Sequence, residues 1–226
     1  MALSGNEDIC GDCKRYYSEF TNRFDTSKCR DITGIRFKEG HDIRRFFIKG
    51  IICLKAVYTS IASVFDIIQS PKKNSVFTEK GFDCAKAVLL KVNSETGIDM
   101  SPLFKITPGL SGGLAGCGDI CGALVGGALA LGIVYGKEID KRQPFTLIKA
   151  GLAAIKEGSA IFEKEELHPS FSTSFRVSRL YRAFINKFGS ANCRDILPQG
   201  KTNIEEIGLC KEVICTVGQW TIELIS

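Results

Sequence analysis

A chain of 226 residues with 44% hydrophobic and 24% charged residues has an ordinary globular composition and is long enough to bury a substantial core. Its net charge of +5 is carried by dispersed basic residues such as Arg44-Arg45, Lys72-Lys73 and Lys141-Arg142, not by one basic face, so no nucleic acid is expected as a partner. The first eight residues, Met1 to Asp8, carry neither a basic nor an apolar leader region, so no signal peptide is expected. The longest apolar run, Ile120 to Tyr135, falls short of the roughly 20 residues of a bilayer span, so no membrane span is expected either. The resulting expectation is a cytoplasmic protein, where thiols stay reduced. Ten cysteines in that setting point to metal or redox chemistry rather than to a disulfide framework.

Taken in chain order, the periodicity is helical nearly throughout. Ile43, Phe46, Phe47, Gly50, Ile51, Leu54, Val57, Tyr58, Ile61, Val64 and Phe65 recur at three-and-four spacing, the pattern of one long amphipathic helix. Gln69 to Ser75 has turn composition. A second helix is predicted with Cys84, Ala87, Val88, Leu90 and Val92 on its inner face and Gly97 just past its end. The glycine-rich stretch 108–118 leads into a small-residue helix predicted to start at Asp119. Pro144 opens a further helix to about Glu166, which His168-Pro169 ends, and a helix from Phe175 to Phe188 follows. No alternating run is long enough to require a sheet. The fold class is therefore all-α, a helical bundle.

An internal partial repeat orders the cysteines. Residues 17–32, with Tyr17, Phe20, Asn22, Phe24, Cys29, Arg30, Asp31 and Ile32, align without a gap to Tyr181, Phe184, Asn186, Phe188, Cys193, Arg194, Asp195 and Ile196. Each copy is followed by a cysteine heading an apolar helix, Cys53 and Cys210. Equivalent cysteines in two copies suggest paired sites with one chemistry. The repeat implies two domains, a partial module over residues 1–70 and a complete one over 71–226.

Phe82-Asp83-Cys84-Ala85-Lys86-Ala87-Val88-Leu89, Gly112-Gly113-Leu114-Ala115-Gly116 and Cys121-Gly122-Ala123-Leu124-Val125-Gly126-Gly127 resemble the family of candidate redox-active proteins named C_GCAxxG_C_C. The resemblance implies that Cys84 and Cys121 are the first two of four characteristic cysteines and that Cys193 and Cys210 stand where the third and fourth lie. It covers about residues 74–226, and residues 14–70 resemble the trailing half of a second module. The split-Soret cytochromes c are similar to this module, but their covalent haem needs Cys-x-x-Cys-His. Here Lys14 follows Cys10-Gly11-Asp12-Cys13, so no covalent haem is expected.

Four thiolates converging in one bundle make the ligand set of an iron–sulfur cluster or of tetrahedral zinc. The expected centre is an iron–sulfur cluster on Cys84, Cys121, Cys193 and Cys210, of the 2Fe–2S type because its ligands are dispersed, with zinc as the alternative. Buried cysteines also serve as small hydrophobes, and a thiol–disulfide protein using the same residues is the remaining reading. Asp8-Ile9-Cys10-Gly11 echoes Asp119-Ile120-Cys121-Gly122, so Cys10, Cys13, Cys29 and Cys53 form a second candidate site. Cys117 and Cys215 are left over. Arg30-Asp31 and Arg194-Asp195 read either as local ion pairs or as guanidinium groups offsetting thiolate charge. The glycines before Asp119 fit close packing better than a phosphate loop, since no Gly-Lys-Ser/Thr follows. The functional expectation is a redox or electron-transfer protein, a carrier or oxidoreductase component, with a redox protein as partner. The apolar stripe of the partial module needs a cover, either the complete module or a second copy in a homodimer.

Overall fold

The computed structural model describes residues 9–34, 40–69, 83–136, 152, 156, 172–197 and 203–226, with the side chains of 9–10, 40–50 and 203–208 outside the description. Its helices are α1 (Ile9–Phe24), α2 (Cys29–Thr33), α3 (Gly40–Gln69), α4 (Cys84–Thr96), α5 (Gly122–Tyr135), α6 (Ser172–Phe188), α7 (Cys193–Ile196) and α8 (Asn203–Ile225), with short 3₁₀ turns at Ser101–Leu103 and Thr107–Leu110. Among the described residues the only extended pairing is an isolated antiparallel bridge between Ile120 and Asn192. The all-α expectation is borne out. The helix expected over Pro144 to Glu166 lies outside the described residues apart from Leu152 and Lys156, both helical, and His168 lies outside them entirely.

The chain divides into two compact units: one comprises Met1–Lys14, Lys73–Gly136 and Arg176–Ser226, the other Arg15–Lys72 and Lys137–Phe175. This division groups the N-terminal Cys-x-x-Cys segment with the C-terminal module, whereas the sequence repeat sets its boundary at 70/71.

In the first unit α4, α5 and α8 pack on one another around Val88, Leu89, Val92, Leu124, Leu131, Leu180, Phe184 and Val217. Helix α4 starts where Asp83 accepts the Lys86 N–H at 3.0 Å, an N-cap that satisfies an otherwise unpaired donor. The same carboxylate accepts the hydroxyl of fully buried Thr107 at 2.6 Å. The helix stops at Gly97, whose φ of 71° is left-handed and suits the missing side chain. Helix α5 is made of small residues so that its backbone can touch α4: a Cβ on Gly126 would stand 2.7 Å from the Ala85 carbonyl oxygen. Gly127 lies equally close to Leu180, Val217 and Thr221.

These contacts set the register of the bundle. Helix α5 runs parallel to α8, since Gly127 faces Val217 and Thr221 while the Tyr135 hydroxyl donates to the carbonyls of Leu224 (3.2 Å) and Ile225 (2.9 Å). Helix α6 runs antiparallel to α8: Arg176 Nε donates to the Leu224 carbonyl at 3.0 Å, and at the other end Lys187 Nζ reaches Thr216 Oγ1 at 3.0 Å and Glu212 at 3.2 Å.

The second unit contains α2, α3 and most of α1. The two sequence copies share a local geometry: Asp25 (φ 58°) and Gly189 (φ 77°) end the preceding helices, and extended Lys28 and Asn192 then precede the cysteines that begin α2 and α7. Helix α3 presents its faces differently from the amphipathic expectation. Thr59 and Ile67 are buried and Cys53, Ala56, Ser60, Ser63 and Val64 are half-buried, whereas Ile51, Leu54, Val57, Tyr58, Ile61 and Phe65 are exposed. A three-and-four spacing identifies a stripe but not what lies against it, and the small residues on the opposite face are those that allow close approach. Within α3, Ile51–Gln69 has a mean hydropathy of 1.8 and is long and apolar enough, by length and composition, to cross a membrane. Lys55 and Asp66 interrupt it, which is why it escapes a search for uninterrupted apolar runs.

Candidate redox site

Three of the four expected cysteines gather on the loop between Leu110 and Cys121. Cys84 is the first residue of α4, Cys121 is the residue before α5, and Cys193 is the first residue of α7. The loop turns through left-handed residues at Gly112, Gly113, Leu114, Ala115, Gly116 and Gly118. Beside the cysteines, glycine is required by contact at Gly113 and Gly122. A Cβ on Gly113 would meet Asp119 O at 2.5 Å and Cys193 Cβ at 2.7 Å, and one on Gly122 would meet Leu110 O at 2.6 Å and Cys84 Sγ at 2.8 Å. The loop therefore presses against Cys84 on one side and Cys193 on the other.

Backbone pairing sets Cys121 and Cys193 diagonally on neighbouring segments. Cys121 N–H donates to Ala191 O at 2.8 Å and Cys193 N–H to Asp119 O at 2.7 Å, flanking the bridge at Ile120 and Asn192. This commitment explains why α5 begins at Gly122 and not at Asp119 as expected from sequence. Arg194 ties the loop down further, its Nε donating to Gly118 O at 3.0 Å and its terminal nitrogen to Cys117 O at 2.7 Å. Cys210 is located by register. Cys121 precedes Gly127 by six residues, just before α5; with α8 parallel to α5 and a rise of about 1.5 Å per residue, that level corresponds to residues 211–215 of α8, next to half-buried Cys210. The α6 C-terminus and Cys193 lie at the same end.

Cys121 is buried, whereas Cys84, Cys193 and Cys210 are half-buried. Cys121 is 7% exposed. Burial pushes its thiol pKa up, the Leu124 and Ala123 N–H groups pull it down, and Cys84 raises it further because two thiolates repel. At Cys84 burial again dominates and raises the pKa; the N–H groups of Gly112, Cys84 itself and Ala85 oppose it, and the Asp83 charge adds to the rise. Next to Gly112, Ser111 Oγ is buried without a hydrogen-bond partner. None of the nine described cysteines forms a disulfide. Among the described residues, no group of three or more His, Cys, Asp or Glu side chains stands in a metal-holding arrangement. The donors match a sulfur-ligated centre in chemistry and in shared location rather than in coordination geometry.

The second candidate set is divided. Cys13 belongs to the first compact unit, and Cys29 and Cys53 to the second; Cys29 is exposed at the start of α2, Cys53 is half-buried on α3, and the Cys10 side chain is outside the described residues. Cys117 is half-buried and Cys215 exposed. Burial raises the Cys117 pKa, Lys14 lowers it, Asp119 raises it and Arg194 lowers it, so the segment carrying Cys13 and Lys14 lies close to the loop.

Of the two Arg-Asp pairs, the first is a local, exposed ion pair at 3.4 Å. In the second the residues part company: Arg194 holds loop carbonyls, and Asp195 accepts from Ser190 Oγ (2.6 Å) and Asn192 Nδ2 (2.8 Å). Sequence reasoning missed the clamp by Arg194 and the buried Ser111. No spacing rule joins residues 76 positions apart, although the density of glycines at 109–118 signals backbone that something else must approach.

No curated protein and no solved structure matches the chain. The model of the family described as "Putative redox-active protein (C_GCAxxG_C_C)" matches residues 82–224, which hold Cys84, Cys121, Cys193 and Cys210, and the chain belongs to that family.

Proposed function

We propose that the chain is an electron-transfer protein, or the electron-carrying component of an oxidoreductase, of the reducing cytoplasm, and that its centre is a 2Fe–2S iron–sulfur cluster held by Cys84, Cys121, Cys193 and Cys210. The observation that carries this reading is the treatment of Cys84 and Cys121. Cys121 is buried and Cys84 half-buried, backbone N–H groups lower the thiol pKa of both against the effect of burial, and both share a loop with Cys193. N–H groups aimed at sulfur stabilise a ligated thiolate and tune a cluster's potential. Bound there, such a cluster supplies one-electron chemistry. The loop excludes water from Cys84 and Cys121, Arg194 fixes it against Cys193, and Ser111 Oγ is a donor available to a sulfur acceptor.

A thiol–disulfide reading fits less well, because attack requires an accessible thiolate and burial holds Cys84 and Cys121 as thiols. Zinc would take the same donors, but it is redox-inert and does not match the family's description. The test is anaerobic purification followed by iron, zinc and acid-labile sulfide analysis of wild type and of single Cys84→Ser, Cys121→Ser, Cys193→Ser and Cys210→Ser variants. The expected result is brown protein with equal iron and sulfide, sharply reduced in all four variants. Colourless protein without iron and sulfide, or full iron in every variant, rejects the proposal.

A further inference from the structure

We infer that Ser111 is a potential-setting residue, whose hydroxyl donates to the proposed centre at the Cys84 sulfur and holds its reduction potential up. This rests on the cluster proposed for Cys84, Cys121, Cys193 and Cys210. Ser111 is half-buried as a residue, but its Oγ is wholly buried and has no hydrogen-bond partner within the protein. A hydroxyl in that condition costs free energy until something accepts from it. Its two chain neighbours show where it lies. A Cβ on Gly122 would stand 2.6 Å from Leu110 O and 2.8 Å from Cys84 Sγ, so that carbonyl and that sulfur are close neighbours. On the other side of Ser111, Gly112 N–H is the largest of the backbone groups that oppose the effect of burial on the Cys84 thiol. The segment that carries the hydroxyl therefore runs along the Cys84 sulfur.

The carbonyls around the hydroxyl are already engaged. Those of Gly109, Leu110, Ser111, Gly112 and Gly113 each accept a backbone N–H, at 2.9–3.4 Å. The same bonds fix the backbone on both sides of Ser111, and Gly112 is held so close to Gly116 that a Cβ would meet its Cα at 2.9 Å. The hydroxyl cannot be carried to a distant acceptor without opening the loop. A ligated sulfur bears negative charge, and hydrogen bonds to charged acceptors are roughly twice as strong as neutral ones. Reduction adds one electron, delivered by the redox partner, and the hydroxyl keeps its proton throughout. The added charge strengthens the bond, so the hydroxyl favours the reduced form and raises the potential. A buried water would also satisfy the hydroxyl, but would leave it uncoupled from reduction.

The test is a redox titration of the full chain, purified anaerobically with its centre, as wild type, Ser111→Ala and Ser111→Thr, with iron and acid-labile sulfide measured on each. Ser111→Ala is expected to keep its iron and sulfide and to favour the oxidised form about tenfold more than wild type, which for one electron is a midpoint about 59 mV lower. Ser111→Thr keeps the hydroxyl and is expected at the wild-type midpoint. Electron–nuclear double resonance of the reduced protein should find a coupled proton that exchanges in heavy water, present in wild type and Ser111→Thr and missing from Ser111→Ala. An unchanged midpoint in Ser111→Ala with iron and sulfide intact, or Ser111→Thr shifted as far as Ser111→Ala, overturns the inference and leaves the cluster standing. Iron lost from Ser111→Ala and kept in Ser111→Thr supports the hydroxyl as a partner of the centre, and iron lost from both overturns it. Wild type without iron and sulfide rejects the centre itself, and the inference falls with it.

Discussion

Alanine at Gly126 and alanine at Gly132, both in the middle of α5, should shift stability in opposite directions. At Gly126 the new Cβ would stand 2.7 Å from the carbonyl oxygen of Ala85 and 3.0 Å from its Cα. Both atoms belong to the backbone of α4, so no side chain can swing aside and the helices must separate. Overpacking of this kind costs about 1–3 kcal/mol, against which alanine recovers about 1 kcal/mol of helix propensity. The net loss of up to about 2 kcal/mol corresponds to a melting point lower by up to roughly 8 °C in a chain of this size. At Gly132 nothing lies within 4 Å of the added atom. Only the propensity gain of about 0.5–1 kcal/mol remains there, raising the melting point by roughly 1–4 °C. Differential scanning calorimetry of the two variants beside wild type measures both shifts. A Gly126→Ala protein that melts above wild type, as Gly132→Ala should, would show that α4 and α5 do not approach backbone to backbone, and the account of the small residues in α5 would be wrong.

Gly122→Ala places a methyl group against Cys84 Sγ and Leu110 O, so iron and sulfide content should fall in this variant while Gly132→Ala retains both. In metal-free native protein, stopped-time alkylation with mass mapping should find exposed Cys29 and Cys215 modified first and Cys121 last; early modification of Cys121 would contradict its burial. Asp83→Ala removes the α4 cap and one of the two partners of the Thr107 hydroxyl, leaving the Phe104 carbonyl, a loss of about 1–2 kcal/mol readable by urea titration, and Asp83→Asn should recover most of it. Hydrogen bonding from Ser101 holds the Asp99 carboxyl below its ordinary range. The folded pKa is thus the lower one, so this small contribution is present above the unfolded value and is lost as pH falls through the folded one; Asp99→Asn should flatten that part of an acid-stability curve.

Most of the helices were legible because their signals are local. Gly97 after Thr96 ends α4, and the spacing from Ile43 to Phe65 announces α3. The start of α5 was misplaced at Asp119 because Asp119 to Cys121 are claimed by Ala191 to Cys193, a pairing across about 70 residues that no local window contains. The face of α3 was unreadable for a related reason: periodicity reports that Ile51, Leu54 and Tyr58 share a side, whereas cover depends on what else the chain brings there. At the candidate site the motif marked Cys84, Cys121 and Cys193, and the structure adds what the motif omits, the N–H groups reaching sulfur and the guanidinium holding the loop. The second set rests on the repeat for Cys29 and Cys53 and on an echo of four letters, Asp-Ile-Cys-Gly, for Cys10 with Cys13 beside it, and neither signal reports which compact unit each residue joins.

The hydrogen bonds that set Cys121 and Cys193 diagonally on neighbouring segments, Cys121 to Ala191 and Cys193 to Asp119, are made entirely by main-chain atoms. Their sulfurs are therefore carried on a frame that does not need sulfur in order to form. On the proposed cluster reading, such a frame holds two thiols on neighbouring segments before any ion arrives, so fewer groups have to be collected on binding. It also means that a hydroxyl in place of either thiol leaves the scaffold standing, and the loss of a ligand becomes separable from the loss of a fold.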